Sequence, residues 1–277
     1  MSEFSAVYPT AAPVGVDSTR PSIARVYDAA LNGKDNFEVD RAILEQVRAV
    51  APDACELALA NRDFLIRVCR FLAREAGIDQ FLDLGSGLPT AENTHQVVQR
   101  INPDSSVVYV DYDPMVLAHS RALLMGSPRT TIVDADIFRP SEVLTHPEIR
   151  LALNFSRPIA LFQIGTLHHY LGEDSAALMQ TYVDALPKGS YVAIAHFFDP
   201  ETPAHSTLAR NMESVFLQSP MASGVFRTRP QLQSMFANLE MITPGLTLCD
   251  NWWPDGPHLT PLSPVRHCIA GGIGRKN

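Results

Sequence analysis

The chain has 277 residues, 46 % hydrophobic and 19 % charged, and carries a formal net charge of −8. That length and balance suit a globule with a full core. The negative sign argues against a surface drawn as a whole to nucleic acid or anionic membrane. No window approaches the run of about 18 apolar residues that a membrane span needs, and no basic-then-apolar leader opens the chain. Cys55, Cys69, Cys249 and Cys268 are too far apart for a CxxC knuckle, so no metal site or disulfide framework is expected, and the cytoplasm is the default compartment.

Residues 1–19 are rich in Pro, Ala, Ser and Thr without a period and read as a loose arm. Ile23, Val26, Tyr27, Ala30 and Leu31 then recur at helical spacing, and Asn32-Gly33 ends that helix where a left-handed cap is tolerated. A second helix is expected over 36–50, with Phe37, Ile43, Leu44 and Val47 on one face. Pro52 separates it from a third over 53–76, striped by Leu57, Ala60, Phe64, Leu65, Val68, Phe71 and Leu72 and stopped by Gly77. Residues 20–77 thus form an N-terminal helical cap. Arg25, Tyr27, Asp28, Asn32, Lys34, Asp35, Asn36 and Arg41 gather polar groups around the break at Gly33. They suit either an exposed helix–turn–helix or a lid that folds over the rest of the chain.

From 78 to the end the chain reads as one α/β domain. Strands are expected at 80–84, 107–111, 130–134, 159–164 and 190–196, with helices over 90–101, after Asp113-Pro114, and over 141–151 and 173–186. Strict alternation with short loops implies a parallel sheet with helices on both faces. The tail breaks this rhythm. Helices near 204–216 and 229–237 precede two extended segments, 240–252, interrupted by Pro244-Gly245, and 265–273, with no helix between them, which makes them an antiparallel pair. The expected sheet therefore has seven strands, five parallel and two antiparallel.

The stretch QFLDLGSGLPT, 80–90, carries the chemistry. A strand, a glycine turn and a helix start make a cradle for a nucleotide-like ligand. A nicotinamide dinucleotide would want GxGxxG, and Thr90 stands where its third glycine belongs. An oxidoreductase is therefore the weaker alternative.

LDLGSG, VVYVDYDP, IVDADIF, ALFQIGTLHHY and LPKGSYVAIAH, in that order, resemble the motifs of class I S-adenosylmethionine-dependent methyltransferases, whose fold is Rossmann-like. With VYDAALNGKDNFEVDR near the start, the chain resembles more narrowly a bacterial methyltransferase family first described as a domain of unknown function. The resemblance implies S-adenosylmethionine as cofactor and assigns no methyl acceptor. It implies that Asp83, Gly85 and Gly87 face the cofactor's amino-acid end. Asp111 would take the ribose hydroxyls as a charged acceptor, with Tyr112 against adenine. Asp136 and the Ile137 N–H would read the adenine edge, and Gln163 and Gly165 would lie beneath the sulfonium. Asp113 competes with Asp111 for the ribose and Asp134 with Asp136 for adenine; Asp113 also suits a helix cap. Tyr27 is the expected cofactor contact from the lid.

For the reaction, His168 and His169 just past the fourth strand and His196 at the end of the fifth are the candidate bases. The His-His pair equally suits a packing role, and no metal role fits adjacent histidines. Phe197, Phe198, Trp252 and Trp253 suit either an acceptor pocket or the core. A small-molecule acceptor is expected, since no basic nucleic-acid groove is recognisable. A protein that binds S-adenosylmethionine without transferring its methyl remains a second reading. Oligomeric state is not legible.

Overall fold

The computed structural model describes residues 15–90 and 92–277, so most of the expected N-terminal arm lies outside the described residues. Three helices come first: α1 (Ile23–Ala30), α2 (Glu38–Val50) and α3 (Cys55–Arg70), the last running into a wider turn at Phe71–Glu75. The alternating region comprises β1 (Gln80–Leu84), α4 (Thr94–Ile101), β2 (Ser106–Asp111), α5 (Pro114–Leu123), β3 (Thr130–Asp134), α6 (Pro140–Thr145), α7 (Pro147–Ala152), β4 (Ala160–Ile164), α8 (Ser175–Ala185) and β5 (Tyr191–Asp199). The tail holds α9 (Pro203–Gln218), β6 (Arg227–Thr228), α10 (Arg229–Ser234), β7 (Glu240–Met241), β8 (Thr247–Leu248) and β9 (Ile269–Arg275).

The sheet runs in the order β3-β2-β1-β4-β5-β9-β7. The first five strands are mutually parallel, and β9 lies antiparallel to β5. This is the expected plan with a different strand count, nine among the described residues. The extended segment expected over 240–252, with its interruption at Pro244-Gly245, is two short strands, β7 and β8, both antiparallel to β9. Pro244 between them has no N–H for a ladder, and the Gly245 N–H turns back to the Ile242 carbonyl at 2.7 Å. β6, between the helices expected near 204–216 and 229–237, pairs in parallel with the end of β5. Residues 265–268 form a 3-10 turn headed by Pro264 rather than strand. The helix expected over 141–151 divides into α6 and α7, because Pro147 cannot continue a helix from α6 and instead starts the next.

Strand alternation sends Phe81 to one face and Leu82 and Leu84 to the other. Phe81 joins Phe162, Trp252, the α3 side chains Phe64 and Val68, and Leu72 of the turn that follows α3 in one core. Leu82 and Leu84 join Val108, Val110, Leu161, Met179 and Tyr182 in the second. The α3 stripe is therefore one wall of the main core.

α1 and α2 pack on each other, α1 also on α3 and α2 on α9. Asp40 ties this corner together. Its fully buried carboxylate accepts from the N–H groups of Ser22 at 3.0 Å and Phe37 at 2.8 Å, and from Arg25 Nε at 2.9 Å. Arg25 is buried too, so pair and backbone donors together satisfy an acid that would otherwise be strongly penalised away from water.

Candidate functional site

Every parallel strand points its carboxyl end at one edge, the place where open α/β sheets bind ligands. β1 ends there in the glycine turn. The Gly85 N–H donates to the Val110 carbonyl at 2.7 Å, which lays the turn over the end of β2. Gly85 has φ +76°, and a Cβ there would sit 2.5 Å from Thr166 Cγ2, so both backbone shape and space require glycine. At Gly87 the corresponding direction is open space. Asp83 is buried one pleat before the turn and accepts from Thr94 Oγ1 at 2.7 Å, at the start of α4. Burial pushes its carboxyl up to about 6; the Thr94 hydroxyl and the Arg62 charge pull it down, and Asp111 adds to the rise.

Asp111 holds the turn from the next strand. Oδ2 accepts the Gly87 N–H at 3.0 Å, and Oδ1 accepts the N–H groups of Tyr112 at 2.8 Å and Asp113 at 3.0 Å. Burial raises its pKa and these donors oppose the rise. Three bonds on a carboxylate with about four lone-pair positions leave one for a ligand. Tyr112 presents a largely exposed ring. Asp113 caps α5, accepting from Met115 N at 2.8 Å. On the next loop Asp136 Oδ1 accepts the Phe138 N–H at 2.8 Å. The Ile137 carbonyl is taken by the Tyr182 hydroxyl at 2.7 Å.

The cap reaches this edge through α3. Asn61 lies on the buried stripe, four residues after Leu57 and three before Phe64. Its Nδ2 donates to the Tyr27 hydroxyl at 3.0 Å, and that hydroxyl donates to the Ala58 carbonyl at 3.2 Å. The amide lies on Gly165, the residue after β4, whose φ is +77°; a Cβ at Gly165 would meet Asn61 Nδ2 at 2.8 Å. Arg62, next on α3, donates to the Glu92 carbonyl at 2.7 Å. Gln163 accepts the Thr166 hydroxyl at Oε1, and its Nε2 is buried with no partner among the described residues. Asn61 and Arg62 were not among the expected site residues. The legible signal was a polar residue interrupting an otherwise apolar helical stripe.

The three candidate bases form one group, His168 and His169 on the turn after β4 and His196 within β5. Arg227 donates to His196 Nε2 at 2.7 Å, so His196 carries its proton on Nδ1, which donates to the Phe197 carbonyl at 2.6 Å. Arg227 also donates to the carbonyls of Leu167 at 3.0 Å and Tyr170 at 2.8 Å, which clamps the segment between them. His169 Nδ1 is 2.9 Å from Ser223 Oγ. The His168 ring stacks on Phe197, centroids 3.7 Å apart. Burial lowers all three, His169 and His196 to about 3 and His168 well below its ordinary value. Phe198 and Trp252 are core residues, Trp252 set edge-on to Phe64 at 5.6 Å, while Trp253 is exposed. Among the described residues, no group of three or more His, Cys, Asp or Glu is placed to hold a metal, and no helix is long and apolar enough to cross a membrane.

Comparison with known proteins agrees with this layout. A family model described as S-adenosyl methyltransferase matches residues 9–277. A solved structure from Thermobifida fusca YX, provisionally assigned as a methyltransferase, is 44 % identical, with 98 % of this chain and 99 % of that one covered and a TM-score of 0.89. A DUF574 family protein from Streptomyces avermitilis MA-4680 is 33 % identical over 94 % of this chain and 99 % of its own, with a TM-score of 0.87. An O-methyltransferase family protein from Burkholderia thailandensis, 14 % identical over 86 % of this chain and 59 % of its own, shares the fold at a TM-score of 0.50. No curated protein matches.

Proposed function

Since the chain belongs to the S-adenosyl methyltransferase family, with S-adenosylmethionine as its cofactor, we propose that it transfers the sulfonium methyl to a small-molecule acceptor by in-line displacement at the carboxyl edge of β1–β4. The observation that carries this reading is Asp111: one carboxylate fastens the glycine turn through Gly87 and keeps an acceptor position for a ribose hydroxyl.

The other groups fit the cofactor piece by piece. The open space beside Gly87 leaves room for ligand atoms against the turn. Asp83 supplies negative charge for an ammonium. Asp136 Oδ2, 3.5 Å from Arg139 Nε, takes no backbone donor among the described residues and suits the adenine amine beside the Ile137 N–H, and Tyr112 has an exposed ring to cover the base. Gln163, two residues before Gly165 on β4, has a buried Nε2 donor with no partner among the described residues. Tyr27 acts through Asn61, which makes residues 20–77 the lid over a catalytic domain of 78–277. When bound, the cofactor supplies an already activated methyl.

The protein's part is then alignment and water exclusion, which can account for several kcal/mol of barrier, on the order of 7–11 in well-oriented systems. A base with a pKa near 3 removes protons poorly at neutral pH. We therefore assign His168, His169 and His196 to holding the loops around the acceptor, not to proton transfer. The test is calorimetry with S-adenosylhomocysteine, followed by screening acceptor libraries for release of that product. Absence of binding would overturn the assignment. Binding with no turnover on any acceptor would favour a sensing role.

A further inference from the structure

The Asn61 amide is a buried group at the strand ends whose oxygen the cofactor assignments above leave without a task. It is 5 % exposed, and its Oδ1 has no hydrogen-bond partner among the described residues. Its orientation is set by the neighbouring hydroxyl. Tyr27 has one proton and gives it to the Ala58 carbonyl, so its oxygen can only accept, and the nitrogen of Asn61 must face it. The carbonyl oxygen is left as an acceptor over Gly165, where the missing side chain lets the amide lie against the backbone at the end of β4. Leaving such an oxygen unpaired is unfavourable, so a donor is expected there when the site is filled.

The cofactor's donors can be counted. Asp111, at the end of β2, takes a ribose hydroxyl, and Asp136, on the loop after β3, takes the exocyclic amine. The sulfonium methyl offers only weak C–H donors. The remaining N–H donor is the α-ammonium, with three protons, and one acid alone cannot take all three. Asp83 follows Phe81 by two residues on β1 and so shares the face that α3 covers, and Arg62, adjacent to Asn61, lowers the Asp83 pKa through its charge. An acid, a neutral acceptor and a cation grouped there match the two charges of an amino-acid zwitterion.

We propose that Asn61, positioned by Tyr27, accepts a hydrogen bond from the ammonium of S-adenosylmethionine, so that the N-terminal cap itself reads the cofactor's amino-acid end. This rests on the assignment of the strand-end site to that cofactor. Three ligands separate the two: S-adenosylhomocysteine, an analogue lacking only its amine, and 5′-methylthioadenosine, which lacks the whole amino-acid end. In calorimetry Asn61→Ala should weaken S-adenosylhomocysteine by about 10- to 150-fold, the range for a bond to a charged group, and leave the other two unchanged. Tyr27→Phe should give a smaller loss confined to the same ligand. Asn61→Asp, which keeps an acceptor oxygen and the shape, should retain binding and covers the case in which the alanine variant does not fold. An equal loss for all three ligands, no loss for any, or an Asn61→Asp variant that no longer distinguishes the amine-bearing ligand from the deaminated one would overturn the proposal. Failure of the wild-type protein to bind S-adenosylhomocysteine would overturn the cofactor site itself.

Discussion

Asp111 gives the sharpest test of the cofactor site. Its carboxylate already accepts from Gly87, Tyr112 and Asp113 at 2.8–3.0 Å, which leaves about one acceptor position for the ribose. Loss of one charged hydrogen bond is worth about 1.5–3 kcal/mol, or about a 10- to 150-fold loss of affinity. Asp111→Ala should exceed that, since three backbone donors also lose their partner and the glycine turn loosens. Asp111→Asn keeps the volume but sets its amide nitrogen or its single oxygen against three donors, so one N–H is always mismatched. Calorimetry with S-adenosylhomocysteine and its 2′-deoxy and 3′-deoxy analogues forms a thermodynamic cycle. The wild-type protein should penalise removal of a ribose hydroxyl, and Asp111→Ala should not. An alanine variant that binds S-adenosylhomocysteine as the wild type does, or that discriminates the deoxy ligands equally, would refute the ribose assignment.

The geometry carries four more expected outcomes. The Asp83 carboxyl is raised from 3.8 to about 6 mainly by burial, so the stability it contributes is present below about 4 and lost as pH rises through about 6. A cationic ligand group favours the ionised form, so affinity for S-adenosylhomocysteine should fall about tenfold per unit below pH 6 and level off above 7; Asp83→Asn should flatten that dependence, and a flat wild-type profile would count against an ammonium at Asp83. Gly165→Ala should cost about 1–3 kcal/mol in chemical denaturation, from a positive φ and a close approach to Asn61; an unchanged midpoint would show that the amide can move aside. The imidazoles of His168, His169 and His196 should not titrate between pH 5 and 8 in NMR spectra, because burial holds them neutral; a transition near 6.5 in any of them would make it a candidate base again. Asp40→Ala should destabilise the chain by about 3–5 kcal/mol, the cost of leaving Arg25 buried and unpaired, and a loss below 1 kcal/mol by denaturation would show that the cap corner does not depend on this acid.

Much of the fold was legible because the signals were local. Period-2 and period-3.6 apolar patterns located the five parallel strands and their helices, and 80–84 and 130–134 match β1 and β3 at both ends. The glycine turn, the Asp113 cap and the order of the motifs were legible for the same reason: each lies within a few residues of chain. Proline effects on the tail were harder to place, since a run such as 240–252 gives no sign of how far β7 reaches before Pro244 ends it.

The sequence by itself determined the class of fold and put acids at the strand ends, because strand-end position is set by the pattern along the chain; the cofactor followed from the resemblance of its motifs to a known family. Only the tertiary structure decided what those side chains face. His168, His169 and His196 are spaced as candidate bases, yet Arg227, 31 residues beyond His196, is what ties His196 and the neighbouring carbonyls. Asn61 stands 34 residues from Tyr27 and 104 before Gly165 in the chain, and the amide, the hydroxyl and the bare backbone meet only after α1 packs on α3 and α3 packs against the sheet. Hydrogen-bond partners and burial depend on contacts between distant segments, and those contacts exist only once the core has closed.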